Sequence, residues 1–331
     1  MVGSPNHLFW KELEKMKILI TELIWKEGIE ELINNGFQVD YDENLWSNRE
    51  ELLRKISNYD GLIVRNQTIA DQELMAAGPQ LKVIGRLGVG LDNIDTASAK
   101  KMGIPVVYAK NANATSVAEY VMMAMLSVSR PLHLADYDVR NGNWDRKTYT
   151  GMELAGKTLG LIGLGEISHR VAKRAISFGM KVAGYDPFIA DYDHIVSETG
   201  VQIIESLADL LAESDFISLH VPLTPSTKYL ISESELHSMK VSSYIINTSR
   251  GGIINERDLA AALTNGAIAG AFLDVLETEP ILPSNKLLTC SNAVITPHIA
   301  GLTEESQIRT SLLVAKEVAK VMKNQPSLCV I

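Results

Sequence analysis

Cysteine is nearly absent: two residues in 331, Cys290 and Cys329. Two thiols cannot staple a fold of this size. Their spacing matches no metal or redox motif, and their scarcity fits a reducing compartment. No metal site is expected. Basic charge is also short, with 31 Lys and Arg against 40 Asp and Glu and a net charge of -9. Nucleic-acid binding needs a clustered basic face, so that class is set aside. An anionic small substrate would have to be met by individually placed Arg or Lys. Long apolar runs are missing too. The longest, around residues 120–128 (YVMMAMLSV), is too short to span a membrane. The first fifteen residues, MVGSPNHLFWKELEK, hold no apolar core of signal-peptide length. A cytoplasmic setting is therefore expected, without membrane partners. Residues 1–15 read as an extension ahead of the first clear strand, which begins at Met16.

What is present is alternation. Hydrophobic residues make up 46% and charged residues 21%, enough for two domains of ordinary size. Short apolar runs are followed by Gly or Pro breaks and then by amphipathic segments, which reads as βα units around parallel sheets. The first set of strands is predicted at residues 17–23 (KILITEL), 38–41, 61–64 (GLIV), 82–84 and 105–108 (PVVY), with helices over 48–57 and 71–77. The second set lies at 157–163 (KTLGLIG), 181–185 (KVAGY), 216–220 (FISLH), 244–247 (YIIN), 271–273 and 293–295. Its helices are predicted over 168–178, 206–211, 233–239 and 256–263. A long apolar helix over 116–129 crosses from one set to the other. The stretch 304–323 carries an apolar stripe at Ile308, Leu312, Ala315, Val318, Ala319 and Met322 and should pack back on the first module. The two modules echo each other. LKVIGRLGVGLDNIDTASAKKMGIPVVY (81–108) repeats the strand, Gly-loop, helix, Gly, strand order of KTLGLIGLGEISHRVAKRAISFGMKVAGYD (157–186), but only the second ends in an acid, Asp186.

Two phosphate-binding patterns overlap in GMELAGKTLGLIGLGEIS (151–168). Gly151-x4-Gly156-Lys157-Thr158 has the letters of a P-loop. That motif needs a buried strand before it and a helix starting at its Lys-Thr. Here the preceding NGNWDRKTYT is polar, and the following LGLIGLG is too rich in glycine to open a helix. Gly163-x-Gly165-x-x-Ser168 has the right flanks. A strand runs into it, and a helix with apolar Ile167, Val171, Ala175 and Phe178 leaves it. Gly163 allows the tight turn, Gly165 admits the pyrophosphate, and the helix N-terminus faces the phosphates. Asp186, at the end of the next strand, would bind the ribose 2′-hydroxyl of NAD and disfavour NADP. The alternative is a structural Gly turn of any doubly wound sheet. Gly88-Val89-Gly90 lacks the acid, so its N–H groups are read instead as a nest for a small carboxylate.

Hydride transfer on a hydroxy acid needs a cation for the substrate carboxylate, a proton donor and acceptor, and a group that tunes it. Such groups should lie beyond the C-terminal ends of strands. Arg250 follows YIINTS, Glu279 follows AFLDVLET, and His298 follows AVITP. Taken singly, each has an ordinary reading: a His after a strand is usually a surface or capping residue, and Arg250 could satisfy a turn. His133, His169, His194 and His237 keep that ordinary reading.

Together the peptides "GVGLDNID", "SVAEY", "GLGEIS…YDP", "HVPLTPST", "NTSRGGIINERDL", "AFLDVLETEP" and "TPHIAG" resemble the D-isomer-specific 2-hydroxyacid dehydrogenase family, from about Met16 to Lys323. That family includes phosphoglycerate dehydrogenases and glyoxylate/hydroxypyruvate reductases. The resemblance implies an α/β fold of two doubly wound parallel-sheet domains. A Rossmann NAD domain (111–301) would be inserted into a flavodoxin-like substrate domain (1–110 and 302–331), with the active site in the cleft. It implies an NAD-dependent enzyme that interconverts a (D/R)-2-hydroxy acid and its 2-keto acid, and it implies a homodimer with the 116–129 helix and its following loop in the contact.

Carried over residue by residue, Arg250 grips the substrate carboxylate and polarises the carbonyl, and His298 passes the proton. Glu279 pairs with His298. Gly88 and Val89 offer N–H groups to the carboxylate, with Arg65 beside them. The cofactor set comprises Val89, Gly163, Gly165, Glu166, Ile167, Asp186, Pro187, His220, Val221, Pro222, Thr227, Thr248, Asp274, Ala300 and Gly301, with Asp274 on the nicotinamide amide. Two departures stand out. Glu166 occupies the place where the family pattern has Arg, and Ser168 replaces the third Gly; Arg170, one turn on, would neutralise Glu166. Formate dehydrogenases on this scaffold carry Gln at the Glu279 place, so Glu279 favours a hydroxy acid. A regulatory, corepressor-like NAD sensor is the alternative class, but no long tail or recognition segment accompanies it here. Arg65, Arg86 and Lys110 would suit a second anionic group such as a phosphate. With so few residues after the last helix, the added regulatory domain of longer phosphoglycerate dehydrogenases is not expected.

Overall fold

The structure is a computed structural model and describes residues 15–190 and 193–331. Apart from Lys15, the extension expected over residues 1–15 lies outside the described residues. The chain divides into two units, Met1–Asn113 with Glu304–Ile331, and Ala114–Thr303. The boundaries fall at 113/114 and 303/304, against the expected 110/111 and 301/302.

In the first unit the strands are β1 (Lys17–Ile20), β2 (Gln38–Tyr41), β3 (Gly61–Val64), β4 (Val83–Arg86) and β5 (Val106–Tyr108). Helices α1 (Lys26–Asn34), α2 (Arg49–Lys55), α3 (Gln72–Ala77) and α4 (Thr96–Met102) connect them. All pairings are parallel, in the order β2-β1-β3-β4-β5. That is the flavodoxin-like doubly wound order. Strand β3 (GLIV) is buried at every position, as a central parallel strand covered on both faces must be. Asn48, Asp71 and Asp95 each cap a helix by accepting an N–H with their side-chain oxygen.

The second unit begins with α5 (Ala114–Ser129), the helix expected to cross between modules, and α6 (Leu132–Arg140). There follow β6 (Thr158–Ile162), α7 (Glu166–Ser177), β7 (Lys181–Tyr185), α8 (His194–Thr199), β8 (Gln202–Ile203), α9 (Leu207–Glu213) and β9 (Phe216–Leu219). Then come α10 (Glu233–Ser238), β10 (Tyr244–Asn247), α11 (Glu256–Thr264), β11 (Gly270–Leu273) and β12 (Ala293–Ile295). The seven strands are parallel in the order β12-β11-β10-β9-β6-β7-β8, with the reversal of winding between β6 and β9. This is the Rossmann order extended by one strand, and the chain is an α/β protein of two doubly wound sheets.

Helix α12 (Glu304–Met322) returns to the first unit, as its stripe predicts. Val314 and Val318 press on Gly85 of β4, where a Cβ would meet them at 2.9 and 2.8 Å. Gly28 of α1 lies as tightly against Ser311. Each fully buried Val or Ile of these layers contributes about 1.5–3 kcal/mol by leaving water.

Several expectations need correction. The strand expected over 17–23 stops at Ile20 because Glu22 turns into a loop described below. The helix expected from 168 starts at Glu166. Gly156 takes a left-handed φ of 77° and Thr158 opens a strand, so the P-loop letters build no P-loop.

Candidate active and cofactor site

The turn between β6 and α7 is built by three small residues. Gly163 has φ 85°, and a Cβ there would meet the His220 carbonyl oxygen at 2.6 Å. Gly165 is the N-cap of α7, and no atom lies within 4 Å of where its Cβ would be. The space in front of the helix N-terminus is therefore open to an anion. Ser168 is buried, and its hydroxyl donates to the Gly163 carbonyl at 2.5 Å. The residue that departs from the Gly pattern thus ties the turn to the first turn of the helix. Glu166 is paired as expected: Arg170 reaches its Oε1 from Nε at 2.8 Å and Nη2 at 2.6 Å, while Nη1 donates to Thr115. The Asp186 carboxylate accepts the Leu164 N–H on Oδ2 and the Phe188 N–H on Oδ1, both at 2.9 Å. A carboxylate has about four acceptor positions, so each oxygen keeps room for a hydroxyl donor.

Two buried polar atoms beyond the strand ends have no hydrogen-bond partner among the described residues: His220 Nδ1 and Thr248 Oγ1. Orphans of this kind are rare in folded proteins and mark places where a ligand completes the bonding. The His220 ring is held by Ser218 Oγ at 2.9 Å from Nε2, and burial pushes its pKa down to about 3, so the imidazole is neutral. Thr227 donates to the Pro222 carbonyl at 2.6 Å and closes the loop after Val221. The open Gly165 face, the acceptor capacity of Asp186 and the two orphans fit a dinucleotide.

Beyond β10, β11 and β12 the three proton-handling and charged side chains are assembled. Asn247 braces the Arg250 loop, donating to the Arg250 carbonyl at 2.9 Å and accepting the Ser249 N–H at 3.0 Å. Ser249 in turn donates to the Leu219 carbonyl at 2.6 Å. Gly251 is obligatory there, because a Cβ would overlap the Leu276 carbonyl. His298 Nδ1 lies 2.9 Å from Glu279 Oε2, and Glu279 Oε1 accepts the Leu276 N–H at 3.0 Å. With Nδ1 engaged, Nε2 is the nitrogen available for proton transfer. Partial burial raises the Glu279 carboxyl, but the His298 and Leu276 hydrogen bonds and the charges of His298 and Arg250 outweigh it and hold the group below its ordinary range. The pair remains half exposed, at 51% for His298 and 40% for Glu279.

Asp274 has a structural task the sequence does not announce. It is buried, and Oδ1 accepts Thr296 Oγ1 at 2.6 Å and the Ile299 N–H at 2.7 Å, while Oδ2 accepts the Ala300 N–H at 2.8 Å. Tyr120 adds a 2.6 Å hydroxyl contact to Thr296. One carboxylate thereby folds the loop on which His298 sits with a left-handed φ of 56°. Three of its acceptor positions are used, so the role on a nicotinamide amide expected from the resemblance is limited to what is left.

In the first unit, Glu22 was missed as a site residue. Its buried carboxylate accepts four successive backbone N–H groups, from Arg65 (2.8 Å), Asn66 (3.0 Å), Gln67 (2.8 Å) and Thr68 (2.9 Å). The signal was present as an acid inside an apolar strand run. The loop so formed holds Arg65, whose guanidinium is lowered from its ordinary value by burial and supported by Glu22. The Gly88 N–H donates to the Arg86 carbonyl at 2.8 Å. What Gly88 provides is room, since a Cβ would overlap the Arg86 guanidinium. Lys110 is exposed.

Comparison with known proteins follows the same lines. The family model described as "D-isomer specific 2-hydroxyacid dehydrogenase, NAD binding domain" matches residues 122–300, more than half of the chain. A D-3-phosphoglycerate dehydrogenase of Archaeoglobus fulgidus is 41% identical over 94% of this chain, which spans only 58% of that protein. A hydroxypyruvate reductase of Thermotoga maritima is 40% identical over 93% of this chain and 99% of its own length. Among solved structures, the TT0316 protein of Thermus thermophilus superposes with a TM-score of 0.86 at 31% identity, covering 96% of this chain and 100% of that one. An acyclic imino acid reductase in complex with NADPH and D-Arg reaches 0.84 at 28% identity, with 96% and 100% covered. Fold, site peptides and relatives agree, and the chain belongs to the D-isomer specific 2-hydroxyacid dehydrogenase family.

Proposed function

We propose that this protein is an NAD-dependent dehydrogenase that interconverts a small (R)-2-hydroxy acid and its 2-keto acid. The observation that carries the reading is the His298–Glu279 pair, 2.9 Å apart on strand-end loops of the Rossmann unit, with the Arg250 charge acting on it. In the reducing direction Arg250 binds the substrate carboxylate in bidentate fashion. His298 Nε2 then gives its proton to the carbonyl oxygen, which becomes the hydroxyl. In the oxidising direction the neutral ring takes that proton back. Glu279 fixes the ring through Nδ1 and stays ionised while His298 cycles. The bound nicotinamide supplies or accepts the hydride at the substrate's C2. In the flavodoxin-like unit Val89 and Arg65 are candidates to receive an anionic group, Arg65 from a loop shaped by Glu22.

The dinucleotide is proposed to be NAD. Gly163 and Gly165 with the N-terminus of α7 receive the pyrophosphate, and Asp186 takes the ribose 2′-hydroxyl and repels a 2′-phosphate. His220 and Thr248 turn their unpaired atoms to it. Arg65 with Arg86 favours a dianionic substrate of the 3-phosphoglycerate kind over glyoxylate or hydroxypyruvate. A homodimer is proposed from α6, none of whose residues is buried, with Leu132 73% and Trp144 of the next loop 78% exposed. A cytoplasmic setting agrees with two free, buried cysteines. Turnover of NADH with a panel of 2-keto acids, in wild type and His298→Asn, tests the reading.

A further inference from the structure

We propose that Glu166, His169 and His194 form a binding site for a divalent transition-metal cation of the zinc class. One ligand atom from each of the three lies within 4.8 Å of the other two. Glu166 and His169 stand three apart in the first turn of α7 and so share one side of it. His194 is the first residue of α8. The two imidazoles meet edge to face with centroids 4.9 Å apart. Two imidazoles and a carboxylate make the donor set that borderline divalent cations take, with a fourth position left for water.

Ligand atoms around a tetrahedral zinc sit roughly 3.3 Å from each other, so closing the present triangle needs movements of about 1 Å. Exposed His194 and half-buried Glu166 have the freedom to make them. The His169 side chain is 12% exposed and already held, with its Nε2 3.1 Å from Glu198 Oε2. A carboxylate against a ligating imidazole is the outer partner that metal-bound histidines keep. Arg170 competes for Glu166 through Oε1, which weakens the site relative to structural zinc sites. The ion would clamp the helix that follows the phosphate turn to the segment that follows Asp186. The site goes beyond the dehydrogenase reading and does not rest on it.

The test uses the full chain, untagged and stripped with chelator. Co2+ titration followed by visible absorption, and Zn2+ titration by calorimetry, should each saturate at one equivalent per chain. The Co2+ spectrum should have the intense bands of a four-coordinate site. His194→Ala, at an exposed position, should keep the wild-type melting temperature without metal and lose roughly tenfold or more in affinity; His169→Asn should lose affinity likewise. Added Zn2+ should raise the melting temperature of wild type and not of His194→Ala. Absence of saturable uptake below about millimolar metal overturns the proposal. Uptake that His194→Ala leaves unchanged places the ion elsewhere and overturns it equally.

Discussion

At the residue scale, the proposed chemistry rests on three side chains and two buried helpers. His298→Asn removes the proton carrier while keeping a polar side chain, and it should lower kcat by roughly 10²–10⁴-fold. NADH binding, followed by fluorescence, should stay within about twofold, because no cofactor contact is lost. Unchanged turnover would take His298 out of the mechanism. His220 predicts a pH effect on stability. Its folded pKa, about 3, lies below the ordinary value of 6.5, so the unfolded chain takes up the proton first as pH falls. The stability from the neutral buried ring is complete above about 6.5 and is lost as pH drops toward 3, by on the order of a few kcal/mol. Chemical unfolding at several pH values should therefore show a steeper acid loss in wild type than in His220→Gln; parallel curves would contradict the assignment. Asp186→Ala should move preference toward NADPH, read as the ratio of kcat/KM for the two cofactors, and an unmoved ratio would remove Asp186 from ribose recognition. Arg250, Glu279 and His298 can be proposed from sequence because each follows a strand-end peptide of high specificity. The anchoring work of Asp274 and Glu22 could not, since it depends on backbone N–H groups converging from distant loops. Nor could the meeting of His169 with His194, which packing brings together across 25 positions.

At the scale of elements, the Glu22 loop is the sharpest case. Four N–H groups converge on one buried carboxylate, so Glu22→Gln puts an amide NH2 against donors and leaves at least one of them unsatisfied. It should cost about 1–3 kcal/mol in urea unfolding. A variant as stable as wild type would show that the loop holds its shape without the carboxylate. The same carboxylate explains why the apolar run KILITEL is only half strand: hydrophobicity continues past Ile20, but the chain must turn to deliver Glu22. Strands such as GLIV were plain in the sequence because a buried parallel strand is apolar throughout. Helices α6 and α8 and the two-residue β8 were not. Helix α6 buries no residue, so no apolar periodicity toward a core marks it, and β8 is shorter than any pattern can register.

At the scale of the whole molecule, the βα alternation implied parallel sheets, and the echo between residues 81–108 and 157–186 marked two modules. What no alternation reveals is assembly. Leu132, Leu134, Tyr137 and Trp144 are exposed and are the apolar surface on which the proposed dimer contact rests. Leu134→Asp should convert a dimer into a monomer by light scattering, with the fold intact by circular dichroism; a wild type that runs as a monomer would refute the proposed contact. The central claim, hydride chemistry on a 2-hydroxy acid, is tested most directly by the loss of NADH absorbance with glyoxylate, hydroxypyruvate, phosphohydroxypyruvate, pyruvate, oxaloacetate and a branched keto acid. The account predicts turnover on at least one, fastest on a dianion, and abolished in His298→Asn. Silence across the panel while NADH is bound, or turnover that survives His298→Asn, would contradict it.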